Sequence, residues 1–243
     1  MNVAIVGGHG NVSLRLARRL ASRANTKVFS IVRNSAHNDD VAAAGATPVE
    51  LSLEDSPKEK FAEVFTGKDL VYFAAGAGGK GGAERTRKVD FEGAVKIFDA
   101  IELVREPRPR LILVSSIDVR DHSKRPPHYT DADVKKSEEL QKSLGSYLEA
   151  KHQADLDLVR RTAFKWTILR PALLTNDEGT GRAHVGKMHL DGSISREDVA
   201  HTLALLADRP DAAGLTIEVT NGEDKLEDAL DAFIKKGETD WHS

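Results

Sequence analysis

The chain contains no cysteine, which excludes disulfides, thiolate catalysis and cysteine-ligated zinc and accords with a reducing compartment. It also lacks any long apolar run: no window approaches the ~20 residues of a membrane span, and the apolar start is too short for a signal-peptide core. An excess of one charge is missing as well. Charged residues make up 30% of the chain, yet the formal net charge is only −3, so neither nucleic acid nor an anionic membrane surface is an expected partner. The nine histidines are scattered, His184 and His189 fall beside a predicted strand, and no His-Glu-x-x-His occurs, so no metal site is expected. No glycine loop carries the Lys-Ser/Thr of a phosphate-binding P-loop, and Gly-x-Ser-x-Gly is absent, which leaves phosphotransfer and serine-hydrolase chemistry without an anchor. Repeats and low-complexity tracts are lacking too. What remains is a soluble, cytoplasmic protein whose 243 residues suit one domain, 1–243.

What is present begins at the N-terminus. Val3-Ala4-Ile5-Val6 runs directly into Gly7-Gly8-His9-Gly10-Asn11-Val12-Ser13, and an Ala/Leu/Arg-rich segment with helical spacing follows. That order is strand, tight turn, helix. Gly8 to Ser13 fits the dinucleotide fingerprint G-x-G-x-x-G/A with Ser13 as the small third residue. Gly7 or Gly8 permits the turn, and Gly10 lets the backbone approach a pyrophosphate. His9, Asn11 and Val12 fall where phosphates would meet the open N–H groups and positive dipole end of the helix.

Further along, strands and helices alternate. An amphipathic helix over 15–24 is followed by a strand at 27–32, a helix at 35–44 and a strand at 47–51. A helix at 57–65, with Ser56 as its cap, leads to a strand at 69–75 and then the glycine-rich Gly76–Gly82. One long helix is predicted over 84–104, with Val89, Ala94, Val95, Phe98 and Ile101 on its buried side. Arg110 to Ser116 is continuously apolar until its two serines, as a strand buried on both faces should be. The polar stretch 118–129 reads as an exposed loop. A helix from Thr130 should stop at Gly145 and a second one run from Ser146 to about Thr162. Strands at 165–171, around 184–188 and at 215–219, with helices at 196–207 and 225–235, complete the chain. Asp131 and Asp133 read as charges at a helix start. The expected fold is α/β: a Rossmann-type doubly wound parallel sheet in three α/β/α layers, with a small C-terminal extension on the substrate side.

In such a sheet the strand ends carry the chemistry. Arg33 and Asn34 follow the second strand, where an acid would accept the ribose 2′-hydroxyl of NAD and an arginine accommodates the 2′-phosphate of NADP. NADP is therefore the expected cofactor, with NAD possible. Ser52 and Leu53, after the third strand, should lie beside the adenine. Tyr147 and Lys151 stand four apart on a predicted helix and share a face. A nearby ammonium favours the phenolate and makes the phenol a better acid or base near neutral pH. Ser116 could donate a hydrogen bond to a carbonyl oxygen while Tyr147 delivers the proton.

These features together resemble the short-chain dehydrogenase/reductase superfamily, and within it the atypical NAD(P)H-binding group that includes NmrA-like and biliverdin-reductase-B-like proteins. The resemblance rests on Gly7 to Ser13, Arg33, Phe73-Ala74-Ala75-Gly76, Val114-Ser115-Ser116-Ile117-Asp118-Val119, Tyr147 to Lys151, and Thr167 to Pro171 followed by Leu174 to Gly181. It implies that Ala74, Ala75 and Gly76 border the adenine ribose and that Ser115 lies against the cofactor. It further implies that Lys151 bonds the nicotinamide ribose and that backbone over Pro171, Ala172, Leu173 and Leu174 holds the nicotinamide. Asp90-Phe91-Glu92-Gly93 stands where relatives often have Asn-x-x-Gly, and Ser52 where many carry Asp. The function expected is an NADP-dependent oxidoreductase moving hydride to or from a small carbonyl or conjugated substrate, with Ser116, Tyr147 and Lys151 catalytic. The alternative is a non-catalytic NADP(H)-binding sensor. A nucleotide-sugar epimerase or dehydratase is less favoured, because little chain remains after Arg170 to build a sugar-binding lobe.

Overall fold

The computed structural model describes residues 1–78 and 81–241; Gly79 and Lys80 of the glycine-rich loop lie outside them. In chain order, β1 (Asn2–Val6), α1 (Asn11–Ala21), β2 (Lys27–Val32), a 3₁₀ turn, α2 (Asn38–Ala43), β3 (Thr47–Glu50), α3 (Lys58–Phe65) and β4 (Leu70–Phe73) form the first half. Then α4 (Gly82–Thr86) passes through a π-helical turn (Arg87–Glu92) into α5 (Gly93–Leu103), followed by β5 (Arg110–Val114), α6 (Asp131–Leu158) and β6 (Trp166–Pro171). The remainder comprises β7 (Leu173–Thr175), β8 (Arg182–Val185), β9 (Ser193–Ser195), α7 (Arg196–Leu206), β10 (Thr216–Lys225) and α8 (Leu226–Lys236).

Eight strands form one sheet in the order β3-β2-β1-β4-β5-β6-β10-β8, parallel throughout except for the antiparallel edge strand β8. β7 and β9 pair separately, in parallel. Alternation along each strand divides the core. Val3, Ile5, Leu70 and Tyr72 pack with Leu16, Leu20, Val199 and Leu203 of α1 and α7 on one face. Ala4, Val6, Val71 and Phe73 pack with Phe61, Phe98, Ile101 and Leu158 of α3, α5 and α6 on the other. A strand buried on both sides must be apolar along its buried length, as β4 is throughout and β5 is from Leu111 to Val114. The order reverses at β1 and β4, so the carboxyl ends of these two strands open the crevice in which such sheets bind ligands.

Five features depart from the sequence reading. Gly145 does not end a helix: α6 runs unbroken for 28 residues, because a mid-helix glycine costs only ~1 kcal/mol and turns on both sides of it pack on the protein. The helix over 82–103 is not uniform, since the π-helical turn inserts a residue into the register; Val95 is half-buried while Ile97 and Ala100 are buried. Ser56 does not cap α3, whose N-cap is Pro57 with no side-chain bond. The segment 118–129 is not wholly exposed, for Asp118, Arg120 and Tyr129 are buried and bonded to one another. The strands before Ala74 and Ser115 stop earlier than expected, leaving those residues in extended loops.

Candidate functional site

The turn between β1 and α1 is shaped by close packing. A Cβ on Gly7 (φ +82°) would stand 2.6 Å from the Ala75 Cα, and one on Gly8 would stand 2.5 Å from the Ser30 Cβ. Both glycines therefore let the turn lie flat on β2 and on the loop after β4. Gly10 is the N-cap of α1 in an extended conformation, φ −61° and ψ 149°, with no side-chain cap and no acid in the first turn. Leu14 is the first helical amide to bond back, to the Gly10 carbonyl at 2.9 Å. Among the described residues, the N–H groups of Asn11, Val12 and Ser13 find no acceptor. An anion placed there meets three donors and the positive end of the helix dipole.

A groove of about 400 Å³ extends from this turn, with Gly7, His9, Gly10, Arg33, Leu53, Ala74, Ala75 and Gly76 in its walls. Sequence reasoning missed several further wall residues, among them His37, Leu51, Glu54, Arg85 and Val89. His37 stacks on His9 with ring centroids 3.8 Å apart, while Asp40 holds the other edge of His9 at 2.8 Å. Glu54 stands between two cations, 3.3 Å from Arg85 and 3.7 Å from Arg33. Arg33 is 58% exposed, so its guanidinium can turn to a ligand at little cost. Leu51, Leu53 and Val89 give the groove an apolar patch suited to a flat ring. Two expected residues face elsewhere. The Asn34 side chain accepts from the Ala36 amide and caps the 3₁₀ turn, and the Ser52 hydroxyl donates to Asp55 at 2.6 Å.

Ser115, Ser116, Tyr147, Lys151 and residues 171–174 lie outside that groove, at the carboxyl ends of β4, β5 and β6. Lys151 is buried there. Its ammonium donates to the Val114 carbonyl at 3.2 Å, pairs with Asp90 at 3.3 Å, and stands 5.7 Å from the Tyr147 ring centroid and 5.9 Å from that of Phe73. Burial works against its charge, but Tyr147, Asp90 and Asp155 outweigh burial and hold its pKa above the ordinary lysine value. Asp90 also accepts from the Ala77 amide at 2.9 Å, and Ala77 lines the groove. A single carboxylate thus joins the groove wall to the lysine.

The two serines divide. Ser115 is buried and donates to Asp155 at 2.9 Å, and Arg170 clasps the same carboxylate oxygen at 2.8 and 3.2 Å. Burial pushes the Asp155 carboxyl up, with Arg170 and Ser115 opposing. Ser116 is half-buried and its hydroxyl has no partner among the described residues. Ala172 is buried, whereas Leu173 and Leu174 are exposed large apolar side chains beyond the strand. Neither Asp90 nor Asp155 was legible as a site residue, because each meets its partner only through the packing of distant elements.

The two histidines beside β8 do not converge. His184 bonds the Lys187 carbonyl and His189 bonds Asp133, and no group of three or more candidate ligands for a metal occurs among the described residues. Asp133 serves the helix start as expected, in a capping box with Thr130. No helix among the described residues is long and apolar enough to cross a membrane.

Comparison with known proteins adds three findings. Residues 7–210 match the model of a family described as NAD(P)H-binding. A UPF0659 protein of Schizosaccharomyces pombe is 40% identical, with 99% of this chain and 98% of that protein covered. Among solved structures, a protein of Bacillus halodurans provisionally named as an NAD-dependent epimerase/dehydratase is 31% identical, with 96% and 99% of the two chains covered and a TM-score of 0.80. The oxidoreductase ylbE of Lactococcus lactis is 26% identical, with 97% of each chain covered and a TM-score of 0.77.

Proposed function

This chain belongs to the NAD(P)H-binding family and is of the atypical short-chain dehydrogenase/reductase type, and from that premise we propose that it is an NADP-dependent oxidoreductase. It reduces a small carbonyl or conjugated compound with Tyr147 as proton donor. The observation that carries this reading is the Tyr147 ring 5.7 Å from a buried ammonium at the carboxyl ends of the central strands.

The residues present fit the cofactor. The unpartnered amides of Asn11, Val12 and Ser13 would hold the pyrophosphate, and Gly10 keeps the turn beside them free of a Cβ that would stand 3.2 Å from the Gly7 carbonyl oxygen. Leu51, Leu53 and Val89 would receive the adenine, and Ala74 to Gly76 would border its ribose. Arg33, with His37 beside it, would hold a 2′-phosphate in exchange for its long contact to Glu54. When bound, the nicotinamide supplies or accepts the hydride. Lys151 stays charged and favours loss of the Tyr147 proton toward an oxygen that is gaining negative charge. Ser116 offers a hydroxyl to that same oxygen. Leu173 and Leu174 would flank the substrate. No nucleic acid or membrane partner enters this reading.

Tyr147→Phe tests it. Against a panel of aldehydes, ketones and enones, NADPH oxidation should fall roughly 10²-fold or more while NADPH affinity is kept. A non-catalytic cofactor sensor would lose nothing. The names of some relatives favour a second reading, epimerisation or dehydration of a sugar; that would show product without net NADPH oxidation.

A further inference from the structure

Three charged side chains meet in the groove wall, each from a different element. Arg33 follows β2, Glu54 belongs to the turn after β3, and Arg85 lies in α4. Both guanidiniums converge on one oxygen, Oε1 of Glu54, at 3.7 Å from Arg33 and 3.3 Å from Arg85. Among the described residues of the wall, Glu54 is the sole carboxylate, set against two arginines and the histidines His9 and His37. The turn that carries it is pinned from several sides. Lys96 donates to the carbonyls of Leu53 and Ser56 at 2.7 and 2.9 Å, and the Ser52 hydroxyl bonds both the carboxylate and the amide of Asp55. Leu53 packs so closely on α5 that a Cβ on Gly93 would stand 2.8 Å from it. Such fixation is more than stability asks for, because an ion pair between partly exposed side chains contributes little.

We propose that Glu54 is a specificity-determining residue: an internal anion that holds, between Arg33 and Arg85, the place of a 2′-phosphate, which NADPH must displace and NADH need not. Arg85 is then a second phosphate ligand, brought from beyond β4 while Arg33 comes from β2, the two strands that flank β1. The inference rests on the reading of the groove as the cofactor site and is independent of the chemistry given to Tyr147. A phosphate monoester brings more charge and one more oxygen than a carboxylate, so two guanidiniums that share a single carboxylate oxygen can each bond a phosphate oxygen of their own. With the phosphate in place, Glu54 is a like charge beside it, and that cost falls on NADPH alone. The acid therefore holds the preference for NADPH below what the two arginines would otherwise give.

Calorimetric titration with 2′,5′-ADP and 5′-AMP tests this with neither nicotinamide nor turnover, since the two ligands differ only by the 2′-phosphate. In Glu54→Gln the Kd for 2′,5′-ADP should fall about tenfold while that for 5′-AMP stays unchanged. In Arg85→Met the Kd for 2′,5′-ADP should rise about tenfold, again with 5′-AMP unchanged. Glu54 and Arg85 are only 24% and 28% exposed yet reach solvent, so neither substitution strands a fully buried charge, and both variants should keep the wild-type urea midpoint. Were Glu54 merely a brace between its turn and α4, its loss would weaken both ligands or neither, and a selective gain in 2′,5′-ADP affinity would not occur. A ratio of the two affinities that either variant leaves unmoved overturns this inference alone. A wild-type chain that binds neither ligand overturns the cofactor site and this inference with it. Shifted ratios in a chain without reductase turnover would sink the oxidoreductase reading and leave this one standing.

Discussion

The two ends of the crevice are made of different materials. At the β1–α1 turn the available groups are main-chain amides, exposed by glycines and left without acceptors. At the carboxyl ends of β4, β5 and β6 they are charged side chains buried in pairs: Lys151 with Asp90, Arg170 with Asp155, Arg120 with Asp118. The first arrangement can bind an anion with no net charge of its own and is indifferent to pH. The second can hold or move a proton, but each member depends on its partner, because a buried charge without one is costly. Binding and chemistry thus fall under separate physical controls, and variants should separate them.

The largest effect is expected at the charged end. Arg170→Met leaves the fully buried Asp155 with only Ser115 as hydrogen-bond partner, and stability in urea should drop by about 3–5 kcal/mol. The amide end should respond more mildly and in a different quantity. Gly7→Ala places a Cβ at φ +82° and against the Ala75 backbone, costing about 2–3 kcal/mol, and the shifted turn should weaken NADPH binding measured by calorimetry.

Glu218 of β10 sharpens the contrast through pH. Burial pushes its carboxyl from the ordinary 4.5 up to about 8, with Arg170 opposing and Asp240 adding. The folded chain therefore keeps a proton that the unfolded chain loses. Stability from this group is complete below about pH 4.5 and declines as pH rises toward 8, with a limiting slope of about 1.4 kcal/mol per pH unit. Glu218→Gln should flatten that slope in urea melts, with a gain in stability that is smallest near pH 5 and grows steadily toward pH 8. The smallest effect belongs to the exposed Arg33. Arg33→Ser should leave stability unchanged and reduce the preference for NADPH over NADH by about tenfold, or ~1.4 kcal/mol; an unchanged preference would remove Arg33 from 2′-phosphate recognition.

The same contrast governs what could be read from the residues alone. The glycine turn is written in adjacent letters, since strand, glycines and helix follow one another within about a dozen positions. The Tyr147–Lys151 pairing is equally local, one helical turn apart. The continuous apolar runs of β4 and β5 also disclosed a sheet covered on both faces. Asp90–Lys151 and Ser115–Asp155 were not legible, because their partners come from elements that meet only after the sheet is assembled. Gly145 misled because its propensity penalty is small beside the packing of a 28-residue helix. The π-helical turn had no sequence sign. Nothing local separates it from an α-helix, and it was hidden in a segment of helical spacing. The antiparallel β8 was read as a strand, but its direction is set by its pairing with β10 rather than by its composition.

The central claim is that phosphate meets bare amides at the start of α1 while the proton-handling pair stands apart from that contact. Gly10 tests it most directly, since its backbone angles suit any residue while a Cβ there would press on the Gly7 carbonyl oxygen at 3.2 Å and reach the Ser13 hydroxyl at 3.4 Å, inside the turn that carries the three amides. In calorimetric titration with NADPH, the wild-type chain should bind one equivalent, Tyr147→Phe should bind with the same affinity, and Gly10→Val should fold yet not saturate. Undiminished binding by Gly10→Val, or its loss in Tyr147→Phe, would contradict the account.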